Sequence, residues 1–473
     1  MSDWVWPAEE IRRVGYRVVD QIAEHLASLP GRPVCEPFPA ELAARMRAPA
    51  PPEEGMDAGA VLDAFAREIE PYPFGNGHPR FFGWVNSPPA VMGIFGAALA
   101  AAMNPSCAGG NHAAIWVERE VTGWFRQMVG FPPESMGLLV SGGSMAALTA
   151  LAVARHRQCG FDVRTQGLQS TPSKLTFYRS GEVHGCYQKA IELLGVGSDN
   201  LRAVEADAAL RMLPDALEAA IRRDREQGCT PIAAIASAGS VNTGVIDPLA
   251  EIADVCARQN VWLHVDGAYG APAILTDRFR GELAALARAD SLALDPHKWM
   301  YVPVDAGLVL VRDAAAMRAA FSLVPPYLRS AGDPWLSEYG FEQTRPFRAL
   351  KIWMSMRHLG LAGYRQAIAH DIAMAERLHA TARSASDFEA REPQSLSIVC
   401  LRYTPVVLAG DEGALDARNQ ELLARVQREG HAFLSSTVID GRFWLRACVV
   451  NPRATEEDID ALLPLLRAAG EGI

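Results

Sequence analysis

Two short polar segments of this sequence carry residue types that could act together in catalysis. In Asp295-Pro-His-Lys-Trp299, Lys298 stands beside a histidine, directly after an apolar, strand-like run. In His264-Val-Asp-Gly-Ala-Tyr269, Asp266 ends a second apolar run. A lysine amine can form a Schiff base with an aldehyde, and a carboxylate can hold a pyridine nitrogen protonated. Pyridoxal 5′-phosphate (PLP) needs both groups, so the pair predicts a PLP enzyme that acts on amino acids.

A glycine-rich turn offers a site for the phosphate. Ser141-Gly-Gly-Ser144 lies between a short apolar run and an alanine-rich helical stretch that begins near Met145. Glycines let backbone N–H groups approach an anion, and a helix N-terminus adds favourable partial charge. We therefore expect Gly143 and Ser144 to bind phosphate, with a simple Gly-Ser helix cap as the alternative. No Gly-Lys-Ser/Thr follows, so the turn is not a Walker P-loop.

The same turn permits a function of a different class. Gly142-Gly-Ser-Met-Ala146 fits a loose form of the nucleophile turn of serine hydrolases, and Asp266 and His297 follow in the order of that triad. A hydrolase would use Ser144 as its nucleophile. The sequence has no upstream His-Gly-Gly-Gly segment for an oxyanion, and this scheme gives Lys298 no role. The PLP interpretation is therefore favoured.

The elements around these residues alternate between about residues 91 and 355. Helical stretches separate short β-rich runs, which predicts a mostly parallel sheet covered on both faces. The predicted strands are Gly137–Val140, Lys174–Tyr178, Ile232–Ser237, Val261–Val265, Ser291–Leu294 and Gly307–Val311. Ligands of such sheets bind beyond the carboxyl ends of the strands. We expect one crevice to contain the polar residues at or just after these ends, namely Ser144, His184, Ser237, Asp266 and Lys298.

The regions on either side predict two further domains. Residues 1–90 carry helical stretches at Pro7–Leu29 and Asp57–Ile69 but no strand, so we expect this segment to pack on the main domain or on a second subunit. Residues 91–355 form the predicted large domain. In residues 356–473, a long helix and two strand candidates predict a small C-terminal α/β domain.

The bulk composition excludes several classes of function. The 473-residue chain has a formal net charge of −10 and no basic stripe, which argues against nucleic acid as a partner. Its eight cysteines form no Cys-x-x-Cys motif and no Cys/His cluster, so no metal site is predicted. The N-terminus lacks a signal-peptide pattern, and the longest apolar run (Val91–Met103) is too short to span a bilayer. We expect a cytoplasmic protein with free thiols and no membrane partner.

Together these motifs resemble the group II PLP-dependent amino-acid decarboxylases, a family that includes the aromatic-L-amino-acid and glutamate decarboxylases. The resemblance covers nearly the whole chain, and its most specific part is Pro296-His-Lys-Trp299 placed after His264-Val-Asp-Gly-Ala-Tyr269. Weaker supporting motifs are His78-Pro-Arg-Phe-Phe82, Ser141-Gly-Gly-Ser144 and Arg345-Pro-Phe-Arg-Ala-Leu-Lys351. The resemblance implies PLP as the cofactor and the conversion of an L-amino acid, preferably aromatic, to an amine and CO2.

The resemblance also implies a fold and an assembly. The fold would be of the aspartate aminotransferase type (fold type I), with a mostly parallel seven-stranded sheet, helices on both faces and a small C-terminal α/β domain. The family forms obligate homodimers with active sites at the interface. The N-terminal helices of residues 1–90 would then wrap the partner subunit.

The resemblance further assigns roles to single residues. Lys298 would bind the cofactor covalently, Asp266 would pair with its ring nitrogen, and Ser237 would lie near the ring hydroxyl. A lone histidine is more often structural, but the resemblance places His184 on one face of the ring and Ala268 on the other. Around the phosphate would lie Gly143, Ser144 and His297. The candidate substrate contacts are His78, Trp84 and Val85, and no convergent arginine for an acidic side chain is evident.

One departure from the family bears on the product. The family's mobile loop, here Pro325–Thr344, supplies a tyrosine thought to protonate Cα, and Leu336 stands at that position. Tyr339 is the candidate replacement, with Tyr327 as the other. In the family, loss of this tyrosine can redirect the carbanion to oxygen and yield an aldehyde. Decarboxylation with oxidative deamination is therefore an alternative, as is another PLP lyase reaction on the same fold.

Overall fold

The computed structural model describes residues 4–47, 50–323 and 333–471. The chain forms two compact units. The smaller unit contains the chain up to Trp84, Arg377–Ala390 and the chain from Leu401 onward, and the larger contains Val85–Glu376 and Arg391–Cys400. The domain boundaries expected near residues 90 and 355 stay predictions.

The elements alternate between helix and strand through the larger unit. The α-helices of the described residues, in chain order, are α1 (Ala8–Ser28), α2 (Ala40–Met46), α3 (Ala58–Glu68), α4 (Val91–Met103), α5 (Ala113–Met128), α6 (Gly143–Gln158), α7 (Val163–Gln166), α8 (Cys186–Leu193), α9 (Pro214–Glu226), α10 (Leu249–Arg258), α11 (Asp277–Leu283), α12 (Ala314–Phe321), α13 (Arg348–Ser384), α14 (Glu412–Glu429), α15 (Glu456–Asp460) and α16 (Leu462–Glu471). The strands are β1 (Met136–Val140), β2 (Leu175–Arg179), β3 (Leu201–Ala203), β4 (Thr230–Ser237), β5 (Trp262–Asp266), β6 (Ser291–Leu294), β7 (Gly307–Val311), β8 (Phe388–Ala390), β9 (Ile398–Tyr403), β10 (Ser435–Ile439) and β11 (Arg442–Cys448).

The larger unit is built on a seven-stranded sheet in the order β1-β7-β6-β5-β4-β2-β3. β7 runs antiparallel to β1 and β6, and the other neighbours pair in parallel. The predicted mostly parallel seven-stranded sheet is therefore confirmed. Because β1, β2, β4, β5 and β6 point the same way, their carboxyl ends meet at one edge, where ligands of such sheets bind.

Helices bury the strands of this sheet. Every residue of β6 and β7 is buried, which explains their continuous apolar sequences. α6 packs against β4 to β7, and α9 and α10 pack against β4. The buried side chains of α6 are mostly small, including Ala146, Ala147, Ala150 and Ala154, so this helix can lie close to the sheet. Its N-terminus begins directly after β1.

The last four strands form a second sheet. Its strand order is β10-β11-β9-β8, with antiparallel pairing of β10 to β11 and of β8 to β9. The small C-terminal sheet domain is thus confirmed.

In α1, apolar side chains lie on one face, yet none of its residues is buried.

None of the helices in the described ranges is both long enough and apolar enough to cross a membrane.

Candidate active site

A cavity of about 440 Å³ opens at the carboxyl edge of the large sheet. Its volume lies within the range of small-molecule sites. The loops that follow β1, β2, β5 and β6 supply its polar wall. Among the residues singled out from the sequence, those that line it are Val85, Gly143, Ser144, His184, Asp266, Ala268, His297 and Lys298.

Lys298 is paired with a carboxylate from its own turn. Its Nζ lies 3.1 Å from Oδ2 of Asp295, a side chain that is 2% exposed. Burial alone lowers the pKa of Lys298, but the Asp295 and Asp266 carboxylates outweigh burial, and the pKa is raised above its usual value. The amine is therefore held as an ammonium whose nearest proton acceptor is Asp295.

Asp266 is the last residue of β5, and its Oδ1 accepts a hydrogen bond of 3.1 Å from the Ala268 N–H. Burial raises the pKa of this carboxyl above its usual range, while the Lys298 ammonium and the Ala268 N–H act in the opposite direction. A buried carboxyl of this kind is ionised only where a cation faces it. The cavity side of Asp266 is thus suited to a protonated ring nitrogen.

The N-terminus of α6 lies beside Asp295. Gly142 is the N-cap, and no side chain caps the helix by a hydrogen bond. A Cβ added at Gly143 would lie 2.9 Å from Oδ2 of Asp295 and 3.4 Å from Cβ of Ala268. Only glycine leaves this space open next to the first N–H groups of the helix, which can then bind phosphate oxygens.

The two histidines of the cavity differ in their partners. Cys186 N–H donates to Nδ1 of His184 at 3.1 Å, so that nitrogen carries no proton. Burial lowers the pKa of His184, and the Lys298 charge lowers it further, so the ring is neutral at pH 7. Nδ1 of His297 lies 2.6 Å from the Ala306 carbonyl oxygen and 3.2 Å from the Ala306 backbone nitrogen. Its Nε2 faces Oδ2 of Asp295 at 3.9 Å, so the described contacts do not form the Ser144–His297–Asp266 triad of a hydrolase.

Other predicted site residues lie elsewhere. Ser237 ends β4 beside Asp266 in strand register, but it is not among the described residues that line the cavity. Tyr339 is half-buried near Arg318 and likewise does not line the cavity of its own chain. Its role stays a prediction, and Tyr327 lies outside the described residues.

Two predicted substrate residues belong to the smaller unit. His78 is 5% exposed, and its Nδ1 accepts a hydrogen bond of 2.9 Å from Arg80 N–H. Trp84 is 45% exposed and stacks on Phe74 with ring centroids 5.5 Å apart. Their assignment to the substrate stays a prediction.

Comparison with known proteins decides the family. The family described as "Pyridoxal-dependent decarboxylase conserved domain" matches residues 41–404. The chain belongs to this family. It is therefore a PLP-dependent amino-acid decarboxylase, and the serine hydrolase alternative is wrong.

Relatives of this decarboxylase match along almost its whole length. An aromatic-L-amino-acid decarboxylase of Bacillus atrophaeus is 36% identical over 98% of the chain and 96% of the relative. An L-2,4-diaminobutyrate decarboxylase of Rhizobium meliloti is 34% identical over 87% of the chain and 82% of the relative. The crystal structure of Oryza sativa TDC with PLP and tryptamine has a TM-score of 0.91 and 27% identity, covering 98% of each chain. This similarity confirms the predicted fold type I.

The cavity of the decarboxylase fits PLP on the observations above. Lys298 offers the amine, and Asp266 offers a buried carboxyl that needs a cation. The open space at Gly143, beside uncapped N–H groups, offers a site for a phosphate. A cofactor with an aldehyde, a basic ring nitrogen and a phosphate matches this set of groups.

The structure of the decarboxylase also shows residues that sequence reasoning did not single out. Asp295 was part of the recognised motif, yet its contact with Lys298 becomes evident only in the fold. Tyr187 lines the cavity from α8, and His264 lies buried behind it. The position of His264, two residues before Asp266 on the same strand, was the only signal for it, because residues two apart share one face of a strand.

Proposed function

We propose that this decarboxylase converts an aromatic L-amino acid to the corresponding amine and CO2. The observation that carries the proposal is the charge of the cavity wall. Among the described residues that line it, Lys298 is the only lysine and no arginine is present. An acidic substrate side chain would therefore find no partner for its charge, whereas Val85, Val241 and Val304 offer apolar surface. The similarity to an aromatic-L-amino-acid decarboxylase along the chain supports the same substrate class.

The reaction needs one bond broken and one proton returned. PLP, when bound, supplies an aldehyde for the substrate amine and a ring that takes up the electron pair of the broken bond. The bond between Cα and the carboxylate breaks, CO2 leaves, and Cα receives one proton. The residues of the chain must therefore bind, orient and move protons around that change.

Each residue of the cavity has a proposed part in this change. Lys298 must lose its proton before its amine can react, and Asp295, whose Oδ2 lies 3.1 Å from Nζ, opposes that loss by raising the pKa of the amine. Asp266 holds a proton on the ring nitrogen, which keeps the ring positive. His184 is neutral, so its flat ring can lie against the cofactor without adding a competing charge. Gly143, Ser144 and His297 bind the phosphate, and Ser237 supports the ring hydroxyl.

The proton donor to Cα determines which product forms. Tyr339 is the proposed donor, because Leu336, which stands at the family's tyrosine position, is 2% exposed and has no proton to give. If no donor reaches Cα, O2 can accept the electrons instead. The products are then an aldehyde, CO2, ammonia and hydrogen peroxide, with one water consumed. The buried Leu336 is the observation that favours this second candidate.

We also propose that the protein is a cytoplasmic homodimer with active sites at the interface. α1 supports the dimer, because Ile11, Tyr16 and Val19 are exposed by 57%, 67% and 46% on a helix without a buried residue. All eight cysteines are free thiols, as expected in a reducing compartment. Light scattering on the eluted protein should give twice the mass of 51.2 kDa. A monomer that decarboxylates its substrate would contradict the dimer.

Product identification tests the reaction. PLP-loaded protein is incubated in air with one amino acid at a time, and the products are identified by mass spectrometry. The amino acids are L-tryptophan, L-tyrosine, L-phenylalanine, L-glutamate and L-2,4-diaminobutyrate. We expect an amine from an aromatic substrate. Lys298→Ala should lose the visible cofactor band and the product, whereas Lys174→Ala, at an exposed position, should retain both. An amine from glutamate or diaminobutyrate alone would overturn the substrate assignment.

A further inference from the structure

A chain of buried polar groups lies behind Asp266. Trp262 and His264 precede Asp266 on β5 at two-residue spacing, so the three side chains share one face of that strand. The groups in this chain besides Asp266 are Trp262, Ser291, His264 and Tyr187, with exposures of 4%, 0%, 0% and 1%. Buried polar groups at these exposures are costly unless each is hydrogen-bonded.

The hydrogen bonds form an unbroken series. Trp262 Nε1–H donates to Ser291 Oγ at 2.8 Å. Ser291 Oγ lies 2.8 Å from Nδ1 of His264, and Nε2 of His264 lies 2.9 Å from the Tyr187 hydroxyl. Ser291 stands opposite His264 in the register of β5 and β6, which explains the contact between Ser291 and His264.

The direction of the series follows from the donors available. Indole N–H can only donate, so the Ser291 hydroxyl accepts from Trp262. The Ser291 hydrogen then has Nδ1 of His264 as its acceptor, which requires the His264 proton to be on Nε2. Burial lowers the pKa of His264 to about 3, so the ring is neutral and has this single proton. Nε2–H therefore donates to the Tyr187 oxygen, and the Tyr187 hydrogen is left for another acceptor.

Asp266 is the acceptor in place for that hydrogen. Tyr187 and Asp266 both line the cavity. Burial raises the pKa of the Tyr187 hydroxyl, and the Asp266 carboxylate is the next largest cause of that rise. The other groups facing Asp266 are Lys298, Asp295, His184 and the Cys186 thiol, together with the Ala268 N–H. Of these, the Ala268 N–H donates a hydrogen bond of 3.1 Å to the carboxyl.

We propose that Trp262, Ser291, His264 and Tyr187 form a directed hydrogen-bond chain that ends on Asp266 and keeps its carboxylate ionised opposite the cofactor ring. Tyr187 and His264 are thus positioning residues that act on the cofactor through Asp266. The inference rests on the proposed role of Asp266. A hydrogen bond to a charged group is worth more than a neutral one, and its loss should weaken cofactor binding roughly ten- to a hundredfold.

Four variants of the holoenzyme test the proposal. Tyr187→Phe removes the last donor, Ser291→Ala removes a middle link, and Asp266→Asn removes the acceptor. Tyr178→Phe is the matched control, because Tyr178 is equally buried and its hydroxyl donates to Asp224 at 2.8 Å instead. The readouts are the PLP dissociation constant, the pH midpoint of the visible cofactor band, and the thermal unfolding temperature.

We expect Tyr187→Phe to raise the dissociation constant at least tenfold and to move the band midpoint to higher pH. A ring that holds its proton less firmly withdraws less electron density from the nitrogen of Lys298, which explains the direction. Ser291→Ala should shift the dissociation constant and the band midpoint in the same directions, but by smaller amounts than Tyr187→Phe does. Tyr178→Phe should change only the unfolding temperature. If Tyr187→Phe matches Tyr178→Phe while Asp266→Asn shifts both cofactor readouts, the hydrogen-bond chain is refuted. If Asp266→Asn also leaves them unchanged, the proposed site itself fails.

Discussion

Nζ of Lys298 lies 3.1 Å from Oδ2 of Asp295, three residues earlier in the same turn after β6. Asp295 also lies where a Cβ at Gly143 would meet it, so one carboxylate borders both the reactive amine and the anion site. Its Oδ1 is buried with no hydrogen-bond partner, which means that only one of its oxygens is used by Lys298. Asp295 therefore raises the pKa of the amine and lies beside the turn proposed to bind the phosphate.

Asp295→Asn should make Lys298 more reactive towards the cofactor. Asp295 raises the pKa of Lys298, so its neutralisation lowers that pKa and increases the fraction of neutral amine at a given pH. We expect the acid limb of the PLP loading rate to move to lower pH. Stopped-flow absorbance across pH 6 to 10 measures this limb. The control is Asp290→Asn, because Asp290 directly precedes β6 whereas Asp295 directly follows it. If the acid limb of the loading rate does not move in Asp295→Asn, Asp295 does not set the pKa of Lys298.

Gly143→Ala should weaken PLP binding without unfolding the protein. The added methyl would lie 2.9 Å from Oδ2 of Asp295, closer than ordinary contact, and would occupy the approach to the N-terminus of α6. We expect the PLP dissociation constant to rise about tenfold or more, equivalent to about 1.4 kcal/mol. Gly281→Ala in α11 is the control, since its Cβ meets no atom within 4 Å. It should bind PLP normally and gain roughly 0.4–1 kcal/mol in free energy of unfolding. Equal PLP affinity in the two variants would exclude the anion site.

The strands could be predicted best where both faces are buried. β6 and β7 have the bounds expected from the sequence, because helices on both sides require uninterrupted apolar runs. β3 was not expected, since it has three residues and pairs only with β2. α5 was also missed. Its buried Glu118 interrupts the apolar face and is stabilised by an ion pair with Arg345, 227 residues away, and by a hydrogen bond from the Leu139 N–H.

The site was predictable in its residue types more than in its contacts. Lys298, Asp266 and His184 each lie at or after the carboxyl end of a strand, so strand direction brings them to one edge. The contact of Lys298 with Asp295 depends on the path of a turn, and local sequence does not specify that path. The link from His264 to Tyr187 joins β5 to α8, 77 residues apart, and depends on how the helix packs.

His184 should stay neutral through the physiological range and limit PLP binding only in acid. Burial and the Lys298 charge lower its pKa below 6.5, and protonation would break the hydrogen bond from Cys186 N–H. PLP affinity should therefore be constant from pH 8 to 6.5 and fall at lower pH. In His184→Phe the ring at this position cannot be protonated. The part of the fall in PLP affinity that His184 causes at low pH should therefore disappear. Equilibrium dialysis at a series of pH values measures the affinity, and a wild-type midpoint above pH 6.5 would contradict the assignment.

Tyr339→Phe should shift the product from amine to aldehyde. Burial raises the pKa of the Tyr339 phenol, with Glu338 adding to the effect and Arg318 opposing it, so the hydroxyl keeps its proton at neutral pH. Loss of a general acid typically costs 10²–10⁴-fold in rate, and we expect amine formation to fall by about 10²-fold while aldehyde and peroxide rise. Mass spectrometry of the products measures the ratio, with Tyr178→Phe as the control.

Because Tyr339 does not line the described cavity of its own chain, we expect it to act in the partner subunit. A mixed dimer of Lys298→Ala and Tyr339→Phe chains would contain one cavity with Lys298 from one chain and Tyr339 from the other. Amine formation should reappear in that mixture, although neither variant alone supports it. If the mixture stays inactive while Tyr339→Phe alone makes aldehyde, Tyr339 serves its own chain after a movement of its turn. If Tyr339→Phe alone makes amine at the normal rate, another group protonates Cα.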